Sequence, residues 1–284
     1  MTIDDFIRQF NRACEEGSVE GVLEVNAPDD ITGWALGPDD NYMTLDALSR
    51  EASDRFESIE TRSLEGMRDK WWFGNEQVVC LTYVFDETIC YRSGEVSHLK
   101  GVRVTWYLEK HHGSWLIRHG HWSLPCGEGR RPSQPIPARG AVSQFASCRA
   151  SGGQLEVLLS WLQRCSDCLR KNDPERALND LLVVDDNVVY WRLSDASALC
   201  SRQAFLDYWR ERFVGRAMDL QFQNPVAYVC LPYACLSADA TLVERCLFSG
   251  EVITVSPVRC TFVMEQQVGH WRARHIHFSV PDYV

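Results

Sequence analysis

Two histidines spaced two apart on a strand point the same way, so they can share a metal ion or a proton-transfer task. His119 and His121 in "WLIRHGHWS" have this spacing. The chain repeats it near its end, with His275 and His277 in "WRARHIHFS". An imidazole titrates near about 6.5 and needs only modest tuning to act as a general acid or base. His111 and His112 lie close enough in sequence to complete a ligand set around the first pair. The second copy has Gln267 and Val268 in their places. The paired histidines are thus kept while the extra ligands are not. No metal is expected, and hydrogen bonding within the fold is the plainer role. Two acidic pairs, Asp29/Asp30 and Asp185/Asp186, also recur at equivalent places. Asp30 and Asp186 are candidate catalytic carboxylates, although turn and cap duty is commoner for aspartate in such settings.

The elements that position these groups come in two copies. Set against each other at an offset of 156 residues, Ser93–Pro125 and Ser249–Pro281 are identical at fifteen of 33 positions without a gap. Background amino-acid frequencies would give about two. Each copy opens with an amphipathic helical stretch, "IDDFIRQFNRACEEG" and "LEVLLSWLQRCSDCLRKND". An acidic segment leading to a tryptophan follows, then a second helical stretch, "LDALSREASDRFESI" and "RQAFLDYWRERFVG". Three or four strands close each half. The stretch between, rich in Pro, Gly, Ser and Arg, reads as a linker. The expected organisation is a first domain over 1–127, a linker over 128–152 and a second domain over 153–284.

"VRVTWYLEK" and "WLIRHGHWS" are β-rich runs around a turn glycine, and side chains alternate across a strand. With an odd loop, one face carries Arg103, Thr105, Tyr107, Glu109, Trp115, Ile117, His119, His121 and Ser123. The other carries Val104, Trp106, Leu108, Leu116, Arg118, Gly120 and Trp122. An even loop would pair the faces the other way. The two copies share far more on the first face than on the second, where Trp106 becomes Phe262 and Trp122 becomes Phe278. An interface between equivalent halves must present the same groups from both, whereas pockets are free to diverge. The polar face is therefore expected to join the repeats as an intramolecular pseudo-dimer. The apolar face is expected to line a cavity under the helices. With the faces reversed, the histidines would line that cavity as acid–base groups.

Helices followed by strands ending in "R-x-T…G-x-W…R-H-x-H-x-S-x-P" resemble the nuclear transport factor two-like superfamily. The nearest forms are SnoaL-like domains and the association domain of calcium/calmodulin-dependent kinase two. The resemblance is specific in 93–125 and 249–281 and rests elsewhere on element order. It implies an α+β fold: two cone-shaped domains, each a curved antiparallel sheet wrapped around helices, with a pocket on the concave side. The kinase association domain is similar at Gly113, Trp115, His119, His121 and Ser123, and its relatives hold small carboxylates with pocket arginines. Here Trp106 and Trp122 stand at the matching places, and Arg118 and Arg274 are the nearest positive charges. SnoaL-like enzymes need no cofactor, which implies none here.

Trp106, Trp122, Phe262 and Phe278 are candidate ligand-stacking residues, with Arg118 and Arg274 as anion-binding partners. An arginine on an apolar face is costly unless paired, so a salt bridge to a carboxylate is the competing role. Composition narrows the rest. A net charge of −10 argues against a nucleic-acid partner. No apolar span is long enough to cross a membrane. The acidic, amphipathic start is unlike a signal peptide. Twelve cysteines are scattered through apolar runs, which suits buried thiols in a cytoplasm. Cys165 and Cys168 form a CxxC inside a helical pattern, and no second CxxC completes a zinc site. The expected function is binding of a small hydrophobic molecule, with isomerase, cyclase, dehydratase or hydrolase chemistry if it is catalytic. A non-catalytic scaffold is the alternative, and further homo-oligomerisation is open.

Overall fold

The computed structural model describes residues 1–37, 41–125, 149–193 and 198–281. They divide into two compact units, one within residues 1–125 and one within 149–281. Most of the stretch read as a linker, through residue 148, lies outside the described residues.

The first unit begins with α1 (Ile3–Glu15), which buries Phe6, Ile7, Phe10, Ala13 and Cys14 along one stripe. That spacing of three and four is the helical period read from the sequence. Thr2 caps the helix: its hydroxyl accepts the Asp5 N–H at 3.1 Å, and the Asp5 carboxylate accepts the Thr2 N–H at 2.9 Å. A short helix, α2 (Val19–Glu24), leads to β1 (Thr32–Trp34) and β2 (Asn41–Tyr42). Then come α3 (Leu45–Ser58), capped by Thr44, and four long strands: β3 (Ile59–Gly74), β4 (Val78–Tyr91), β5 (Val96–His111) and β6 (Ser114–Ser123).

The second unit repeats this order with α4 (Gly153–Lys171), α5 (Pro174–Leu181), β7 (Val189–Trp191), β8 (Ala198–Leu199) and α6 (Arg202–Arg212). It closes with β9 (Arg216–Cys230), β10 (Tyr233–Cys246), β11 (Val252–Gln267) and β12 (His270–Ser279). Each unit is α+β, with one six-stranded sheet in the order β2-β1-β6-β5-β4-β3 or β8-β7-β12-β11-β10-β9. The sheets are antiparallel except where β1 runs parallel to β6 and β7 to β12. These short strands and the helices α2 and α5 escaped the sequence reading, because three to eight residues are too few to show a period. Repeated register shifts bend the long strands, as bulges do.

The final hairpins settle the faces in an unforeseen way. Each turn has two residues, His112-Gly113 and Val268-Gly269, all four at positive φ. Such turns match the twist of the flanking strands, and the glycine takes its φ without strain. An even loop on its own would reverse the faces expected from an odd one. A bulge at Arg118 cancels it: Tyr107 pairs with His119, but Leu108 pairs with Ile117. Beyond the bulge the odd-loop faces hold, with Trp106 opposite Gly120 and Thr105 opposite His121. Between turn and bulge they do not. Trp115 and Ile117, expected beside the histidines, pack into the apolar core instead. The second unit has the same bulge at Arg274, and Trp271 and Ala273 likewise join its core.

Candidate functional site

Each unit encloses a cavity between its helices and the apolar face of its sheet. The second is the larger, about 120 Å³ against about 70 Å³ for the first. In the first unit Phe10 of α1 sits 4.9 Å from Trp106 and 5.8 Å from Trp122, and the two indoles are 5.5 Å apart, ring centre to ring centre. These three rings fill much of the space. In the second unit Trp161 of α4 takes the place of Phe10 and lies 5.0 Å from Phe262. Phe262 meets Phe278 at 5.6 Å, and Phe278 meets Tyr190 of β7 at 5.8 Å. Four rings therefore form an arc around an open space, with Leu220, Leu242 and Val258 among the other wall residues.

The strands explain why the two spaces differ. Gly33 and Gly120 are neighbours on β1 and β6, where the second unit has Tyr190 and Ile276 on β7 and β12. A Cβ on Gly33 would lie 2.3 Å from the Tyr42 hydroxyl, and one on Gly120 would lie 2.6 Å from the Trp106 ring. The first unit thus uses two bare backbone positions to admit Tyr42 and Trp106. The second supplies its own side chains from those positions instead.

Polar groups are few in the second cavity. Glu244 of β10 is 8% exposed and lines the wall. Arg216 donates to it at 3.2 Å, and Arg212 approaches within 3.7 Å. Cys165 faces the same cavity, and burial pushes its thiol up to about 12; Cys14, on the matching face of α1, is pushed up to about 11. Neither is a ready nucleophile, since the thiolate is the reactive form. Burial also holds the Tyr190 phenol well above its ordinary range, so it stays a donor. In the first unit the buried pair is Arg62 and Glu87, with the guanidinium 5.9 Å from the Trp122 ring centre.

Of the residues anticipated from sequence, Trp106 and Trp122 line the first cavity, and Phe262 and Phe278 the second. Arg118 and Arg274 are corrected. They occupy the bulges and are consumed by carboxylates, so they line neither cavity. Arg118 donates to Glu109 at 2.7 Å, to the Asp30 carbonyl at 3.0 Å and to both oxygens of Asp29. Arg274 donates to Glu265 at 2.6 Å and to the Asn187 carbonyl at 2.9 Å, and forks onto Asp185 at 2.7 and 2.8 Å. The catalytic candidates also lie outside the cavity walls. His119, His121, His275 and His277 are fully buried on the opposite face of their sheets. His119 shares a hydrogen bond through Nδ1 with the Thr32 hydroxyl at 2.9 Å, and Trp34 meets His119 and His121 edge-on at 5.2 and 4.9 Å. Asp30 is buried and Asp186 exposed, neither at a cavity. Sequence reasoning missed Trp161, Tyr190 and Glu244. Tyr190 could have been found from the repeat, as a phenol before the shared tryptophan where the first copy has glycine.

Residues 161–283 match the family model described as a SnoaL-like domain. No curated protein matches the chain. Similar solved structures include a nuclear transport factor 2 (NTF2-like) superfamily protein from Salmonella enterica, 17% identical over 46% of this chain and 92% of that one, TM-score 0.38. A candidate dehydratase of the NTF2-like family from Streptomyces avermitilis is 12% identical over 43% and 93%, TM-score 0.38. A candidate calcium/calmodulin-dependent protein kinase II association domain from Xanthomonas campestris is 18% identical over 43% and 84%, TM-score 0.35. The matched residues take in most of α4 and every later element of the second unit. Over residues 161–283 this chain is similar to a SnoaL-like domain.

Proposed function

We propose that the second unit binds a small, largely hydrophobic molecule in the cavity bounded by α4, α6 and the sheet. One observation carries this reading: an aromatic-lined space of about 120 Å³ is left open, where the first unit's rings leave about 70 Å³. A water needs roughly 10–15 Å³ measured in this way, so the space exceeds what stray solvent requires. An apolar cavity with a few convergent polar groups is the usual form of a small-molecule site.

If the site is catalytic, its chemistry is cofactor-free proton transfer, in an isomerisation, cyclisation, dehydration or hydrolysis. Glu244 is the group we assign to take the proton. It is the carboxylate in the wall, and Arg212 and Arg216 fix its orientation. The smaller first cavity, narrowed by Phe10, Trp106 and Trp122, favours a structural role for that unit, the scaffold reading applied to one half. Free thiols at all ten described cysteines support a reducing, cytoplasmic setting. No described helix is long and apolar enough to cross a membrane.

The test is a thermal-shift screen of the full chain against small hydrophobic compounds, repeated with Val258→Phe, which fills the second cavity. A stabilising compound should lose its effect in that variant and keep it in Trp106→Phe of the first unit. The opposite pattern would place the ligand in the first cavity.

A further inference from the structure

A strand at the margin of a sheet leaves a row of N–H and C=O groups unpaired, and native proteins guard such margins with charge, proline or short length. Both units carry such a margin. β6 meets β5 only from Arg103 onward, and β12 meets β11 only from Arg259 onward. Residues 96–102 and 252–258 therefore have a described strand on one side alone, β4 in the first unit and β10 in the second.

The two margins are one element in duplicate, and they have diverged. The first reads V-S-H-L-K-G-V, with His98 and Lys100 exposed and the Gly101 N–H donating to Asp86 at 2.8 Å. The second reads V-I-T-V-S-P-V and holds no charged side chain. Ile253 stands in the place of Ser97, and Ser256 in the place of Lys100. Pro257, in the place of Gly101, has no N–H to offer, which leaves residues 252–256 as the stretch able to pair. Val252, Ile253 and Val255 are all exposed, Val255 to 59%. The first unit folds with serine and lysine in this stretch, so core packing does not call for the exposed aliphatics of the second. The apolar surface continues into the β10–β11 turn. There the Leu247 N–H donates to the Gly215 carbonyl at 3.0 Å, which brings Leu247 and Phe248 beside Val214, all three exposed.

We infer that this margin pairs with a second copy of the chain, β11 against β11, antiparallel about a two-fold axis near Thr254. Charge selects the occupant. Each chain carries −10, so copies repel wherever their carboxylates meet. Residues 252–258 are neutral, and a copy laid against them sets no like charges opposite one another. It sets β-branched residues opposite β-branched ones instead, with Ile253 of each chain facing Val255 of the other. The two-fold closes the contact after two chains, so the margin is consumed and does not propagate. A stable dimer buries roughly 800 Å² on each partner. The paired strand supplies part of that area, and Val214, Leu247 and Phe248 extend it. The contact needs neither cavity.

Sedimentation velocity of the full-length protein over a dilution series is the test. The expected result is a species of twice the chain mass that gives way to the single chain on dilution. Val255→Lys sets two lysines near the axis and should raise the dimer dissociation constant by about tenfold or more. Ser97→Lys, on the same margin of the first unit, should leave it unmoved. Should Val255→Lys fail to fold, amide hydrogen exchange in the unaltered protein decides. The outward N–H groups of residues 252–256 should exchange more slowly at high protein concentration than at low, and exchange independent of concentration overturns the inference. A single chain at every concentration also overturns it. So does a dimer that survives Val255→Lys, or one that Ser97→Lys loosens equally, since another surface then joins the copies.

Discussion

Arg274 and Asp185 form a two-pronged pair, with both terminal guanidinium nitrogens donating to the carboxylate at 2.7 and 2.8 Å. The pair ties the bulge of β12 to the turn before β7, and so sets where Tyr190 and Trp191 enter the sheet. Arg118 and Asp29 do the same for β6 and β1.

Removing the guanidinium takes away the charged donor that Glu265 and Asp185 share. Arg274→Met should destabilise the protein by about 2–4 kcal/mol, as breaking a largely buried pair does. Urea unfolding followed by tryptophan fluorescence checks this. Asp185→Asn should cost no more than about 1 kcal/mol, because that carboxylate is nearly half exposed. The Arg274 hydrogen bond holds Asp185 down to about 2, against burial. A lowered carboxylate stabilises the fold above its unfolded pKa, near 3.8, and loses that effect as pH falls through about 2. The gap between the unaltered protein and Asp185→Asn should therefore be constant above pH 4 and close below it.

His275 should make the fold acid-sensitive in a higher range. Burial pushes its pKa down to about 3, so the folded state refuses a proton that the unfolded chain accepts near 6.5. Stability from this residue is complete above pH 6.5 and falls as pH drops from there toward 3. His275→Gln should flatten that part of the curve of unfolding midpoint against pH. An unchanged slope between pH 6.5 and 4 would mean that the imidazole takes up its proton in the fold.

Gly33 should be indispensable for space rather than for backbone freedom. Gly33→Ala drives a methyl into the Tyr42 ring and should cost about 1–3 kcal/mol. In a Tyr42→Ala background the same change should cost much less. A double-mutant cycle should return a coupling of about 1 kcal/mol or more, since the two side chains compete for one volume.

The amino-acid sequence by itself determined the duplication, the α+β class, the four longer helices and the residues of the cavity-facing sheet beyond the bulge. These follow from local periods: three and four along the helices, two along the strands, and identity at a fixed offset. Trp106, Trp122, Phe262 and Phe278 were legible as cavity residues for that reason. Tertiary structure alone decided the bulges at Arg118 and Arg274. An inserted residue leaves the alternation regular on both sides, so composition carries no trace of it, and here its parity cancels that of a two-residue turn. The bulge moved both arginines out of the cavities and turned Trp115 and Trp271 into the core. Only the fold, likewise, brought Trp161, Tyr190 and Glu244 around one cavity, because they come from a helix and two strands far apart in the chain. Which copy kept the larger open space was also beyond the sequence. It turns on whether Tyr42 and Trp106 lie over Gly33 and Gly120, a matter of shape that no single residue type announces.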